Sequence, residues 1–224
     1  MTILVLVLLG LITAMLILYA RVRMPRLMAE RFNDSLQAFG IAVELRFPSH
    51  QGLTARVVPL SMAVGRRLGL RPQDLRNLEL AARLRDIGLC AIPYRLVNGQ
   101  KWNEWSDADR ATYQRHQEVS AAMLEAVPSL RHLAPIVRCH HSNFDGSDGG
   151  FFPCGDAIPI EARILKAVVE YVWYERLQGA LIASDRLATL EGTAFDPQVV
   201  AALRDVLTCS RVGDPARPEP LAPL

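Results

Sequence analysis

The first twenty residues limit this chain more than any other stretch. Residues 3–20 carry no charge; they are Leu, Ile, Val, Met and Ala, interrupted only by Gly10, Thr13 and Tyr19. As a helix rising about 1.5 Å per residue, the run reaches about 27 Å, close to the hydrocarbon thickness of a bilayer. A buried core helix of this length would show one polar face, and this run shows none. A cleaved signal peptide needs a basic segment before the apolar run and a small-x-small site after it. Here only the α-amino group precedes the run, which ends in Tyr19-Ala20-Arg21. The expectation is an uncleaved transmembrane anchor over residues 1–20.

Charge supports that placement. The 224 residues hold 25 basic and 23 acidic side chains, a formal net charge of +2. Within residues 1–31, Arg21, Arg23, Arg26 and Arg31 face a single Glu30, so the body behind them is close to neutral, at −1. A near-neutral body lacks the basic excess that displaces counterions from a polyanion, which excludes a nucleic-acid polymer as partner. Arginines just past the apolar run follow the positive-inside rule. They predict a single-pass protein of the cytoplasmic (inner) membrane with its C-terminal domain in the cytoplasm. Cys90, Cys139, Cys154 and Cys209 form no CxxC pair and read as reduced thiols.

The rest reads as all-α. Leu36, Phe39, Val43 and Phe47 recur at helical spacing, predicting a juxtamembrane helix within residues 21–47. Helices are expected over about 53–68, after Asp74, after a cap at Ser106 to Asp109, over 118–126, from Leu133 through His141, over 160–176 and over 198–207. Residues 143–155 are rich in Gly and Asp and read as a loop. No segment alternates with period 2, and no Gly-rich phosphate loop follows a strand. A domain over 48–208 and a disordered proline-rich tail over 209–224 complete the expected organisation. One domain of that size leaves no room for a sensor or receiver domain.

Chemistry-bearing residues are few. The histidines are His50, His116, His132, His140 and His141, and Asp86 stands near the end of the third helix. Imidazoles and a carboxylate on several helices can converge in a bundle core and suit a divalent ion such as Mn, Fe or Zn. Two such ions would clamp a phosphoryl group and activate a water. Each imidazole can equally be an ordinary core or solvated side chain, the simpler reading for His132. Two adjacent histidines on a helix point about 100° apart, so one ion is not expected to take both His140 and His141.

Five segments then carry a resemblance. AARLRDIGLCAIP at 81–93 is similar to AALLHDIGKIGIP, and RHQEVSAAML at 115–124 to RHPEIGAEIL. APIVRCHHSNFDGSDGG at 134–150, IPIEARIL at 158–165 and GTAFDPQVV at 192–200 follow in order. From about Val43 to Leu207 the chain resembles the HD-GYP family, all-α metal-dependent phosphohydrolases that hydrolyse cyclic di-GMP. The resemblance implies a helical bundle and a site containing Asp86, His116, His140 and His141.

It also implies losses. The family's first metal histidine falls on Leu53, the His of its HD doublet on Arg85, its lysine on Leu89 and its late metal Asp on Val169. The GYP motif reads Asp148-Gly149-Gly150, and the segment between Val169 and Gly192 is short. Leu and Val cannot ligate, and a fixed guanidinium repels a dication. The expectation is a site without an intact bimetal centre, retaining at most one divalent metal on Asp86, His116, His140 and His141. His50, three residues before Leu53, is a candidate replacement, and Glu170 beside Val169 a weaker one. The resulting reading is a membrane-anchored, catalytically impaired regulatory or binding module. Its expected partners are a diguanylate cyclase, a second copy of itself or a cyclic dinucleotide. The alternative is an active phosphodiesterase with one metal, using Arg85 and Asp86 in catalysis. A third possibility is a structural scaffold whose histidines are relics.

Overall fold

The computed structural model describes residues 2–47, 50–98, 104–147 and 153–213. It is 79% helical, and no strand occurs among the described residues. The first residues of the tail expected over 209–224 are helical, the helix running to Gly213; the rest of it from Asp214 and the Asp148-Gly149-Gly150 segment lie outside the described residues.

The chain divides into two units, residues 1–39 and 40–224. The first is helix. α1 (Thr2–Leu18) passes through a five-residue π turn, Tyr19–Arg23, into α2 (Met24–Arg46). No residue of α1 is buried, and its apolar side chains are exposed, Ile3 by 79%. The continuous helix Thr2–Arg46 is long and apolar enough to cross a membrane.

The second unit begins inside α2, where Gly40, Val43 and Glu44 are buried. Val43 and Phe47 pack with Leu89, Ile92, Leu96 and Trp105 in an apolar cluster. Residues 21–47, expected as a juxtamembrane helix or linker, are largely helical, and the last turns of α2 also supply core to the domain. Glu44 then turns the chain into α3 (Leu53–Arg67): its carboxylate accepts the backbone N–H of Gly52 at 3.2 Å and of Thr54 at 2.7 Å. Those are amide donors that the first helical turn cannot satisfy itself. Gly52 at φ 77° supplies the left-handed backbone this entry needs.

α3 packs against α4 (Pro72–Leu84) and α9 (Ile160–Gln178). Val57, Val64, Leu78, Ala81, Ile164, Leu165 and Val168 are fully buried between them. A 3-10 turn (Ile87–Ala91) and a short α5 (Tyr94–Asn98) follow α4. Ser106 and Asp109 form the expected cap, a reciprocal pair of side chain–backbone bonds opening α6 (Asp107–Gln114). The chain bends at Arg115, so His116 opens α7 (His116–Glu125) rather than riding on α6. α8 (Ala134–Arg138), α10 (Ala180–Thr189) and α11 (Pro197–Gly213) complete the bundle.

Candidate metal centre

Three elements bring the site together. α4 ends at Leu84, which puts Arg85 and Asp86 at its C-terminal edge. The 3-10 turn that follows presses onto α7 at Gly88. A Cβ there would stand 2.2 Å from the His116 carbonyl oxygen and 2.6 Å from the Ser120 nitrogen. Only glycine permits this approach, and the Gly88 N–H donates to Ser120 Oγ at 2.8 Å. His116 is thereby fixed beside Asp86. The third element is the end of α8.

The histidine doublet departs from expectation. Helix α8 stops at Arg138, so His140 and His141 lie in the turn after it. Without helical spacing the two rings converge, with centroids 4.0 Å apart. His116, His140 and His141 each offer a ring nitrogen, and these nitrogens lie within 4.8 Å of one another. One ion can therefore reach all three, contrary to the helix-based expectation.

The tautomers follow from backbone contacts. His116 Nδ1 lies 2.7 Å from the Tyr113 carbonyl oxygen, and His140 Nδ1 makes the corresponding short contact to the Val137 carbonyl. A carbonyl only accepts, so both Nδ1 atoms carry the proton. Each neutral ring is left with a bare lone pair on Nε2. Both Nε2 atoms are buried without a hydrogen-bond partner. Burial keeps these rings neutral: it is the main cause that lowers the pKa of His116, pushes His140 to about 3, and takes His141 well below its ordinary value. A buried acceptor with no donor costs about 1–3 kcal/mol, a cost that a metal ion would remove. A backbone-held Nδ1–H with Nε2 facing inward is also the arrangement that orients metal-ligating histidines.

Asp86 lies at the edge of this cluster. Its Oδ1 stands 3.8 Å from Nε2 of both His116 and His140, beyond hydrogen-bonding distance and without ionic attraction to neutral rings. Its Oδ2 is 2.9 Å from Arg85 Nη2. Burial pushes the Asp86 carboxyl up, but Arg85, with smaller help from His140 and His116, outweighs it and holds the group at about 2. Arg85 is 1% exposed; its Nη1 donates to the Ala82 carbonyl and, at 3.4 Å, to Thr54 Oγ1. The three imidazole nitrogens suit a single divalent ion, and Asp86 borders them, 3.8 Å from two.

Other candidates sit elsewhere. His50 is buried beside Trp173 and Phe47, its Nε2 3.4 Å from Tyr113 Oη; it borders the cleft at Asp86 without joining the three-histidine cluster. Leu53 is buried. Glu170 faces Lys166 at 3.8 Å and Arg186 at 3.7 Å. Lys166 donates to the His141 carbonyl at 3.0 Å, tying α9 to the doublet. The cleft beside Asp86, walled by Val43, Glu44, His50 and Thr54, measures about 10 Å³, room for about one water. Sequence reading missed Glu44, Thr54, Tyr113 and the Gly88–Ser120 contact. Of these only Gly88, within a recognised motif, carried a local signal.

Comparison with known proteins agrees with this arrangement. The HD domain family model matches residues 41–199. The chain is 28% identical over 182 residues to the cyclic di-GMP phosphodiesterase response regulator RpfG of Xanthomonas campestris pv. campestris, covering 78% of this chain and 48% of that protein. It is 29% identical over 153 residues to the cyclic di-GMP phosphodiesterase PA4108 of Pseudomonas aeruginosa, covering 65% and 36%. The chain thus spans half or less of the length of these relatives. Two solved structures share the fold. A cyclic GMP-AMP-specific phosphodiesterase of V. cholerae (V-cGAP3) aligns with TM-score 0.64 at 16% identity, covering 79% of this chain and 48% of that one. Bd1817 of Bdellovibrio bacteriovorus, described as a HDG"Y"P protein, aligns with TM-score 0.61 at 20% identity, covering 80% and 64%. With the family model matching residues 41–199, most of its length, the chain belongs to the HD domain family.

Proposed function

We propose that the chain is a membrane-anchored HD-GYP domain with an impaired catalytic site, serving as a regulatory or binding module in cyclic di-GMP-type signalling. The observation that carries this reading is the Arg85–Asp86 pair. A guanidinium, permanently cationic, occupies the position where the family motif has a metal-binding histidine, 2.9 Å from the carboxylate that follows it. Leu53 and Val169, at two further ligand positions of the motif, have no donor atoms. The donors that remain serve one divalent ion, Mn, Fe or Zn, and not two.

Phosphodiester hydrolysis needs an activated water and charge stabilisation around the phosphate. The functional surface is then the bundle itself, offered to a diguanylate cyclase, to a second copy of the chain or to a cyclic dinucleotide held without turnover. The apolar α1 and its arginine collar support a single pass through the cytoplasmic membrane with the domain in the cytoplasm.

A second reading has its own observation. The orphaned Nε2 atoms of His116 and His140 favour an occupied site, and a single-metal phosphodiesterase would use them with His141 and Asp86. A bound ion would polarise a water or a phosphoryl oxygen; the chain's own contribution would be to orient the imidazoles through Tyr113 and Val137 and to present Arg85 to a phosphate. Incubating the full chain with cyclic di-GMP and Mn²⁺ or Fe²⁺ separates the two. The impaired module gives no product above a blank. Turnover that disappears in both His140→Ala and Asp86→Ala establishes the enzyme instead.

A further inference from the structure

Asp86 stands between a fixed cation, Arg85, and a cluster of neutral imidazoles that could hold a second one. Its Oδ2 is held by Arg85 and its Oδ1 faces the bare Nε2 atoms of His116 and His140. We propose that Arg85 is a built-in counter-ion that competes with a divalent metal for Asp86 and so sets the metal affinity of the three-histidine cluster. This rests on the single-metal part of the preceding reading, and not on whether the site turns anything over.

The geometry gives the competition its strength. Arg85 is 1% exposed and held from behind by the Ala82 carbonyl and Thr54, so it cannot swing into solvent when an ion arrives. Its Nε and Nη2 are buried without a hydrogen-bond partner, so Asp86 compensates it by charge, as an ion pair at 2.9 Å. The charge lies close to the cluster: Nη2 is 2.9 Å from Asp86 Oδ2, and Oδ1 of the same carboxylate is 3.8 Å from Nε2 of His116 and of His140. A dication bound there meets that charge's repulsion and finds its one anionic ligand already half neutralised. Three imidazoles with one carboxylate suit a borderline ion, zinc above all. The consequence is a site that fills and empties reversibly, where the same donors without Arg85 would hold the ion tightly.

The test uses the full chain in detergent, titrated with Zn²⁺ against a chromophoric chelator. Wild type is expected to bind one zinc per chain. Arg85→Gln is expected to bind one zinc at least tenfold tighter, while Arg85→Lys, which keeps the charge, stays near wild type. In an Asp86→Asn background the gain from Arg85→Gln shrinks. Equal or weaker binding in Arg85→Gln, or no zinc binding by either protein, overturns the inference and leaves the impaired-module reading standing. Turnover of cyclic di-GMP would do the reverse. Should Arg85→Gln fail to melt cooperatively, the arginine side-chain NMR signals of wild type decide: Arg85 must shift in step with zinc binding, and an unmoved signal refutes the competition.

Discussion

Arg85 Nη2 and Asp86 Oδ2 lie 2.9 Å apart in adjacent residues at the end of α4, with the arginine side chain 1% exposed. The pair neutralises a carboxylate that would otherwise face only neutral imidazoles. Breaking such a pair leaves an uncompensated charge in a low-dielectric site, typically at a cost of about 3–5 kcal/mol. Arg85→Ala is therefore expected to lower stability by about 3 kcal/mol in urea unfolding without metal. The double change Arg85→Met with Asp86→Leu should lose less than the single one. Equal losses would mean the arginine acts through packing alone.

Gly88 governs a different link. Any Cβ there drives into the His116 carbonyl and Ser120. Gly88→Ala should cost about 2–4 kcal/mol, because the obstacle is largely backbone and cannot rotate away. It should also weaken metal binding by displacing His116. Ser120→Ala, which removes only the 2.8 Å bond from the Gly88 N–H, should cost about 1–2 kcal/mol. Thermal melting of both variants checks the order.

These two relationships show what sequence can carry. The helices were legible because their signals are local: Ser106 and Asp109 cap α6, Pro197 opens α11, and apolar residues of α9 recur on one face. The pairing of Arg85 with Asp86 follows from opposite charge in adjacent residues. The convergence of His140 and His141 was hidden, because it depends on α8 ending at Arg138, and periodicity misleads once a helix stops. Glu44 was hidden for another reason. It caps a helix that starts nine residues later, a contact made by the fold and not by any local pattern.

Metal-free stability gives a further check on the histidines. His140 is buried with an unsatisfied Nε2, so its removal gives up little in the absence of metal. His140→Leu should change metal-free stability by about 1 kcal/mol or less while abolishing the rise in melting temperature caused by Zn²⁺. A large loss without metal would mark His140 as a structural core residue.

The apolar N-terminal helix predicts the protein's fractionation. Full-length chain should remain with membranes through high-salt and carbonate washes, which remove proteins held by charge alone. A variant lacking residues 2–20 should appear in the soluble fraction. Release of the full chain by carbonate would contradict a spanning helix.

A ligand set reduced to one ion, as proposed, can be counted in the purified protein. The count of tightly held metal in full-length protein purified under reducing, metal-replete conditions tests it most directly. One divalent ion per chain or fewer is the predicted result, falling to none in His140→Ala. Two tightly held ions per chain would contradict the account.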